Sequence, residues 1–193
     1  MVNVFFFHGA YGNGEENWFP WLKEQLESVG CVVYVPRFPT PEGQSLDGWM
    51  KVFRRFEESV DSDTIFVSHS IGCAFALDVI EQLKTRIRAA YLVAPFISDL
   101  PDPKGEVNHI NKTFYKKKFD WHAIKDKCQE FHAIASDNDP YVPAKEAEKV
   151  SKPLGVELAI IEGAGHFNKK AGYTQFPQLL DMIEDTLTTN KGD

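Results

Sequence analysis

Basic residues are in short supply in this chain. Its 193 residues include 21 lysines and arginines against 28 aspartates and glutamates, a formal charge of -7. A nucleic-acid binder needs an excess of cations gathered on one face, so nucleic acid is excluded as an expected partner. Cysteine is scarce too. Cys31, Cys73 and Cys128 are odd in number, far apart and set inside apolar runs, which excludes a secreted disulfide framework and fits buried thiols in a reducing, cytoplasmic compartment. No apolar run is long enough to cross a bilayer. The start, Met1-Val2-Asn3, reaches His8 without the basic stretch and longer apolar core of a signal peptide. The expectation is a soluble protein with no membrane partner. Repeats, low-complexity tracts and interdomain linkers are also missing, so residues 1–193 read as a single domain with a frayed tail from Thr188 to Asp193.

What is present is alternation. Short β-branched and aromatic runs, Val2 to Phe7, Cys31 to Val35, Thr64 to Ser68, Ala89 to Val93, Phe131 to Ala135 and Val156 to Ile161, read as about six strands. Between and after them, Trp18 to Ser28, Leu46 to Ser59, Ile71 to Lys84, Ala144 to Ser151 and Tyr173 to Thr188 carry helical apolar spacing, with Gly30 as a stop signal after the first. Strands that are continuously apolar and separated by helices imply right-handed crossovers and a mostly parallel sheet covered on both faces, the α/β class. In such sheets the ligand crevice lies beyond the carboxyl ends of the strands, so polar residues just after a strand carry the search for chemistry. One stretch breaks the rhythm: residues 95–127 contain Pro101, Pro103 and Gly105 and then a basic, aromatic run, and read as a cap-like excursion over one end of the sheet. Lys116 to Lys118 in that run suit either acidic substrates or a solvated face. Phe114, Tyr115, Phe119 and Trp121 suit either a site lining or packing onto the body.

The strand Thr64 to Val67 leads through Ser68-His69-Ser70-Ile71-Gly72 directly into a helical pattern. A strand-turn-helix of this kind strains its central residue and points that side chain into the crevice, and it needs small flanking residues because the backbone crowds the turn. Ser70 is the candidate nucleophile; its plainer role is capping the helix. A serine hydroxyl needs a base, and the base needs an orienting acceptor. After the last strand, Glu162-Gly163-Ala164-Gly165-His166 offers a flexible loop that delivers His166 to the strand ends. After the fifth, Ser136-Asp137-Asn138-Asp139-Pro140 offers two carboxylates. Asp139 is preferred, with Asp137 left open as the alternative acid or as a turn cap. The first strand ends in His8-Gly9-Ala10-Tyr11-Gly12, and the amides of Ala10 and Ile71 are the candidate oxyanion donors. Neither a Walker A pattern nor G-x-G-x-x-G is present, which disfavours nucleotide binding.

These residues, together with Trp18, Trp21 and Leu22, Pro36, Pro39 and Pro41 with Trp49, Phe119-Asp120-Trp121, and Asp139-Pro140-Tyr141-Val142-Pro143, resemble the small α/β-hydrolases related to retinoblastoma-binding protein 9 and to YdeN. The resemblance covers nearly the whole chain. It implies a shortened α/β-hydrolase fold lacking the first antiparallel strands of larger relatives, and it maps Ser70, Asp139 and His166 onto the family's triad. Ser68 is a departure, since family elbows usually place glycine there. The expected function is a serine hydrolase acting on a small carboxylic ester or related acyl substrate through an acyl-enzyme, without cofactor or metal. The alternatives are a peptidase of aminopeptidase type and a catalytically silent protein-binding module on the same fold.

Overall fold

Residues 1–102 and 104–189 are described by a computed structural model; Pro103 and the end of the tail, residues 190–193, lie outside the described residues. Six strands form one parallel sheet: β1 (Asn3–Phe7), β2 (Val32–Tyr34), β3 (Ile65–His69), β4 (Ile87–Val93), β5 (Cys128–Ser136) and β6 (Leu158–Ile161), in the order β2-β1-β3-β4-β5-β6. The chain leaves β1 to one side to make β2 and returns to its other side to make β3. That reversal opens a crevice at the carboxyl ends of β1 and β3.

Side-chain alternation explains why β1 is apolar throughout. Phe5 and Phe7 enter one core with Trp49, Phe53 and Phe75, while Val4 and Phe6 enter the other with Trp18, Phe19 and Leu22. Helices α1 (Phe19–Ser28) and α7 (Pro177–Thr189) cover the second face. Helices α2 (Leu46–Phe53), α3 (Ile71–Gln82), α4 (Glu106–Tyr115), α5 (Trp121–Asp126) and α6 (Ala144–Leu154) cover the first. No helix among the described residues is long and apolar enough to cross a membrane. Cys31, Cys73 and Cys128 are buried free thiols.

Several boundaries differ from the sequence expectation by two or three residues, as at β5, which starts at Cys128, and α6, which ends at Leu154, and three have a local cause. The stretch from Leu46 divides, because after Phe53 the chain tightens into i to i+3 turns, with Phe56 N–H donating to Phe53 O at 2.8 Å, before a 3-10 turn at Glu57–Ser59. Helix α7 begins at Pro177 rather than Tyr173, since proline lacks the N–H that an interior helical position requires but the first position does not. It runs through Thr189, into the tail expected to fray from Thr188.

The excursion, to which the sequence assigned no helix, contains α4 and α5. Asp102 Oδ2 accepts from Val107 N and Asn108 N at 2.7 and 3.1 Å, and Asp120 Oδ1 accepts from His122 N and Ala123 N, both at 3.1 Å. These caps start helices whose lysines disguise the apolar spacing. Phe114, Tyr115 and Phe119 pack into the body. The lysines divide: Lys117 pairs with Asp78 and Glu81 of α3, whereas Lys116, paired with Asp99, and Lys118 are exposed.

Candidate active site

Ser70 stands between β3 and α3 with φ 58° and ψ -127°, a conformation that costs an L-residue energy. Its N–H donates to Val93 O at 2.9 Å, tying the turn to the neighbouring strand. Two residues on, a Cβ at Gly72 would lie 2.4 Å from Phe7 O and 2.6 Å from His8 O, so the elbow can press against the end of β1 only with glycine there. Ser68 fits because its hydroxyl has an acceptor: Oγ donates to Tyr91 O at 3.0 Å. The departure from glycine therefore leaves no buried hydroxyl without a partner.

The histidine loop is held by three consecutive side chains. Asp137 Oδ1 accepts from Gly163 N at 2.8 Å, Asn138 Oδ1 from Gly165 N at 2.7 Å, and Asp139 Oδ2 from His166 Nδ1 at 2.7 Å. Asp139 Oδ1 also accepts from Tyr141 N and Val142 N, at 2.8 and 3.0 Å. Of the two aspartates left open by the sequence, Asp139 is the one bonded to His166, and its side chain is 1% exposed. A carboxylate accepting at Nδ1 puts the ring proton there and leaves Nε2 as an acceptor. His166 and Ser70 line the same cleft, although no hydrogen bond joins the Ser70 hydroxyl to the imidazole among the described residues.

Two buried histidines that the sequence marks only as strand-end and elbow neighbours brace these loops. His69 Nε2 donates to His166 O at 2.9 Å. His8 Nδ1 donates to Gly9 O at 2.8 Å, and its Nε2 accepts from Phe38 N at 3.2 Å. Their signal was a polar ring at the end of an apolar strand, which must find partners once buried. Burial holds both imidazoles below their usual range, with the nearby His166 adding to the shift at His69, which falls to about 3. As pH falls, the unfolded chain therefore takes up these protons first. The stability contributed by the two neutral rings is complete above about pH 6.5 and is lost progressively below it, by up to about 1.4 kcal/mol per pH unit for each. Urea midpoints should be lower at about pH 5 than at about pH 7.5, and less so in His69→Gln, whose amide can keep the bond to His166 O. Equal slopes in the two proteins would remove His69 from this account.

The backbone after β1 leaves donors open. Tyr11 N–H is taken by Thr40 Oγ1 at 2.7 Å, whereas the N–H groups of Ala10 and Ile71 have no acceptor among the described residues. Ile71 is the first residue of α3, where an N–H has no intrahelical partner and the helix dipole favours negative charge.

Two compartments meet at Ser70 and His166. One, of about 600 Å³, is walled by Phe96, Leu100, Val107, Tyr141 and Val142. The other, of about 250 Å³, is lined by the polar side chains of Asn13, Glu16, Asn17 and Lys170. No group of three or more His, Cys, Asp or Glu side chains that could hold a metal is found among the described residues.

Comparison with known proteins identifies the family and the fold. The model of the family described as Serine hydrolase matches residues 4–185. The chain is 26% identical over 182 residues to the putative hydrolase YdeN of Bacillus subtilis (strain 168), covering 93% of each chain. It is 27% identical over 183 residues to the serine hydrolase RBBP9 of Rattus norvegicus, covering 92% of each. The crystal structure of the B. subtilis ydeN gene product superposes with a TM-score of 0.90 at 25% identity, covering 98% of this chain and 100% of that one.

Proposed function

The chain belongs to the serine hydrolase family, and from that premise we propose that it hydrolyses a carboxylic ester through Ser70, His166 and Asp139. The observation that carries this reading is the His166 Nδ1 to Asp139 Oδ2 bond, which leaves Nε2 as an acceptor in the cleft that Ser70 enters. Rotation of the serine side chain on substrate binding brings its hydroxyl to Nε2, since such bonds are often long or open without substrate.

In the first step His166 Nε2 takes the hydroxyl proton as Ser70 Oγ bonds to the acyl carbon. The carbonyl oxygen becomes an oxyanion that accepts from Ala10 N–H and Ile71 N–H. Collapse breaks the bond to the leaving oxygen, which receives the proton from His166. Water then repeats the sequence on the acyl-enzyme and releases the acid and the free serine. Asp139 fixes the histidine tautomer and offsets the charge on the imidazolium. These steps call for no cofactor and no metal. An amide would follow the same route with a nitrogen leaving group.

The compartments give the substrate an orientation. Water must reach the acyl carbon after the leaving group departs, and the polar compartment is the wetter approach. The leaving group therefore occupies the polar side, and the acyl chain the apolar side, where hydrocarbon burial is favourable.

A fluorophosphonate probe followed by intact-mass analysis tests the assignment. Wild type should gain one adduct and Ser70→Ala none, with the variant's melting temperature near that of wild type. A folded wild type that takes no adduct would overturn the reading and favour a silent binding module.

A further inference from the structure

The apolar compartment is not uniformly apolar. Asn111, on α4, lines it, and the residue is 1% exposed. Its carbonyl is engaged, because Gln44 Nε2 donates to Asn111 Oδ1 at 2.6 Å. Its Nδ2 makes no hydrogen bond among the described residues, and the space the residue adjoins is the cleft.

The direction of this arrangement is set from the far end. Tyr11 N–H can only donate, so Thr40 Oγ1 accepts from it. Thr40 passes its own proton to Gln44 Oε1, its sole side-chain acceptor among the described residues. Gln44 then has only its NH2 group to offer Asn111, which must present Oδ1 to it. Both amides are oriented by a backbone donor, and the NH2 group of Asn111 is left for the cleft.

We propose that Asn111 is a specificity-determining residue whose side-chain NH2 donates a hydrogen bond to a neutral oxygen on the acyl chain, so that acyl groups carrying a keto, ether or amide oxygen are preferred to plain hydrocarbon. The proposal rests on the reading of this cleft as the acyl side of a hydrolase site. A plain hydrocarbon chain strips water from the amide and supplies no acceptor in return, which penalises binding; an oxygen at the right carbon replaces the water. Neutrality of the acceptor follows from Asp102, a residue that also lines this compartment and whose negative charge, held at the start of α4, would repel an anionic tail.

The test has one arm that needs no turnover. Hexanamide and its 3-, 4- and 5-oxo analogues are titrated into 15N-labelled wild type, and the side-chain NH2 resonances of Asn111 are followed. One oxo isomer should bind about 10- to 100-fold more tightly than hexanamide and shift those resonances. The second arm compares the p-nitrophenyl esters of the same acids in wild type and Asn111→Asp. This substitution keeps an acceptor for Gln44 and replaces the donor in the cleft by an acceptor. Wild type should favour the same oxo isomer over the plain hexanoate in kcat/KM, and the variant should lose that preference, read as the ratio of the two esters within each protein so that any change in overall rate cancels. Equal affinities with unmoved Asn111 resonances, or a preference that survives in Asn111→Asp, would overturn the proposal. A protein that hydrolyses no ester and takes no fluorophosphonate would instead defeat the hydrolase reading, and the titration would still decide whether Asn111 binds a neutral acceptor.

Discussion

Asp139→Asn should lower kcat for ester hydrolysis by about four orders of magnitude while leaving the fold intact. The size of the effect follows from which atom must turn where. Asp139 Oδ1 accepts from the backbone N–H groups of Tyr141 and Val142, and Oδ2 accepts from His166 Nδ1. An asparagine keeps the two backbone bonds only by placing its carbonyl oxygen at the Oδ1 position. Its NH2 group then faces His166 and requires Nδ1 to be an acceptor. The ring proton moves to Nε2, where it blocks transfer from Ser70. Asp137→Asn should leave kcat near wild type, because Asp137 bonds Gly163 N and any amide oxygen can accept that bond. Steady-state kinetics of the two variants with a chromogenic ester, alongside their melting curves, checks both. If Asp139→Asn retained more than about a tenth of the wild-type kcat, the tautomer argument would be wrong.

The elements of this site differ in how far they can be read from sequence. Ser70 was legible because its signals are local: an apolar strand before it, a helical pattern after it, and Gly72 where only hydrogen clears Phe7 O and His8 O. His166 was legible from a glycine-bearing loop after a strand. The choice between Asp137 and Asp139 was not, since both belong to one turn and their directions depend on residues 26 and 27 positions away. Asn138, given no role by sequence, anchors Gly165 in the same way. His69 and Asn111 were out of reach for a related reason. The partner of His69 is 97 residues on, and Asn111 opens a basic, aromatic run in which it carries no signal of its own until Gln44, 67 residues earlier, is brought against it. The six strands and their order along the chain follow from apolar patterning, though not their ends, whereas α4 and α5 depend on Asp102 and Asp120 caps among residues of mixed polarity.

Lys117→Met should destabilise the protein by about 3 kcal/mol, an effect larger than a surface lysine would produce. Lys117 follows α4 and pairs with Asp78 and Glu81, both on α3, the helix that Ser70 precedes. The Asp78 side chain is 1% exposed, and its only other side-chain partner among the described residues is Gln82 Nε2 at 3.2 Å. Burial pushes the Asp78 carboxyl up and the bond to Lys117 pulls against that shift. On Lys117 burial acts downward, but the bonds to the two carboxylates outweigh it and hold the ammonium above its usual value. Methionine fills much of the same volume and leaves Asp78 charged, buried and unpaired, or forces it to take a proton. Because the Lys117 side chain is 26% exposed, the low end of the cost for breaking a buried pair applies, and the melting temperature should fall by roughly 6–12 °C. The double variant Asp78→Asn/Lys117→Met removes the stranded charge while keeping an oxygen for Gln82, so it should recover most of the loss. Calorimetry of the single and double variants separates the two causes. A single variant melting within about 2 °C of wild type would mean that solvent already screens the pair. A double variant as unstable as the single one would assign the loss to the contact of the Lys117 ammonium with the Phe119 ring, whose centroid lies 5.0 Å away, instead of to the buried carboxylate.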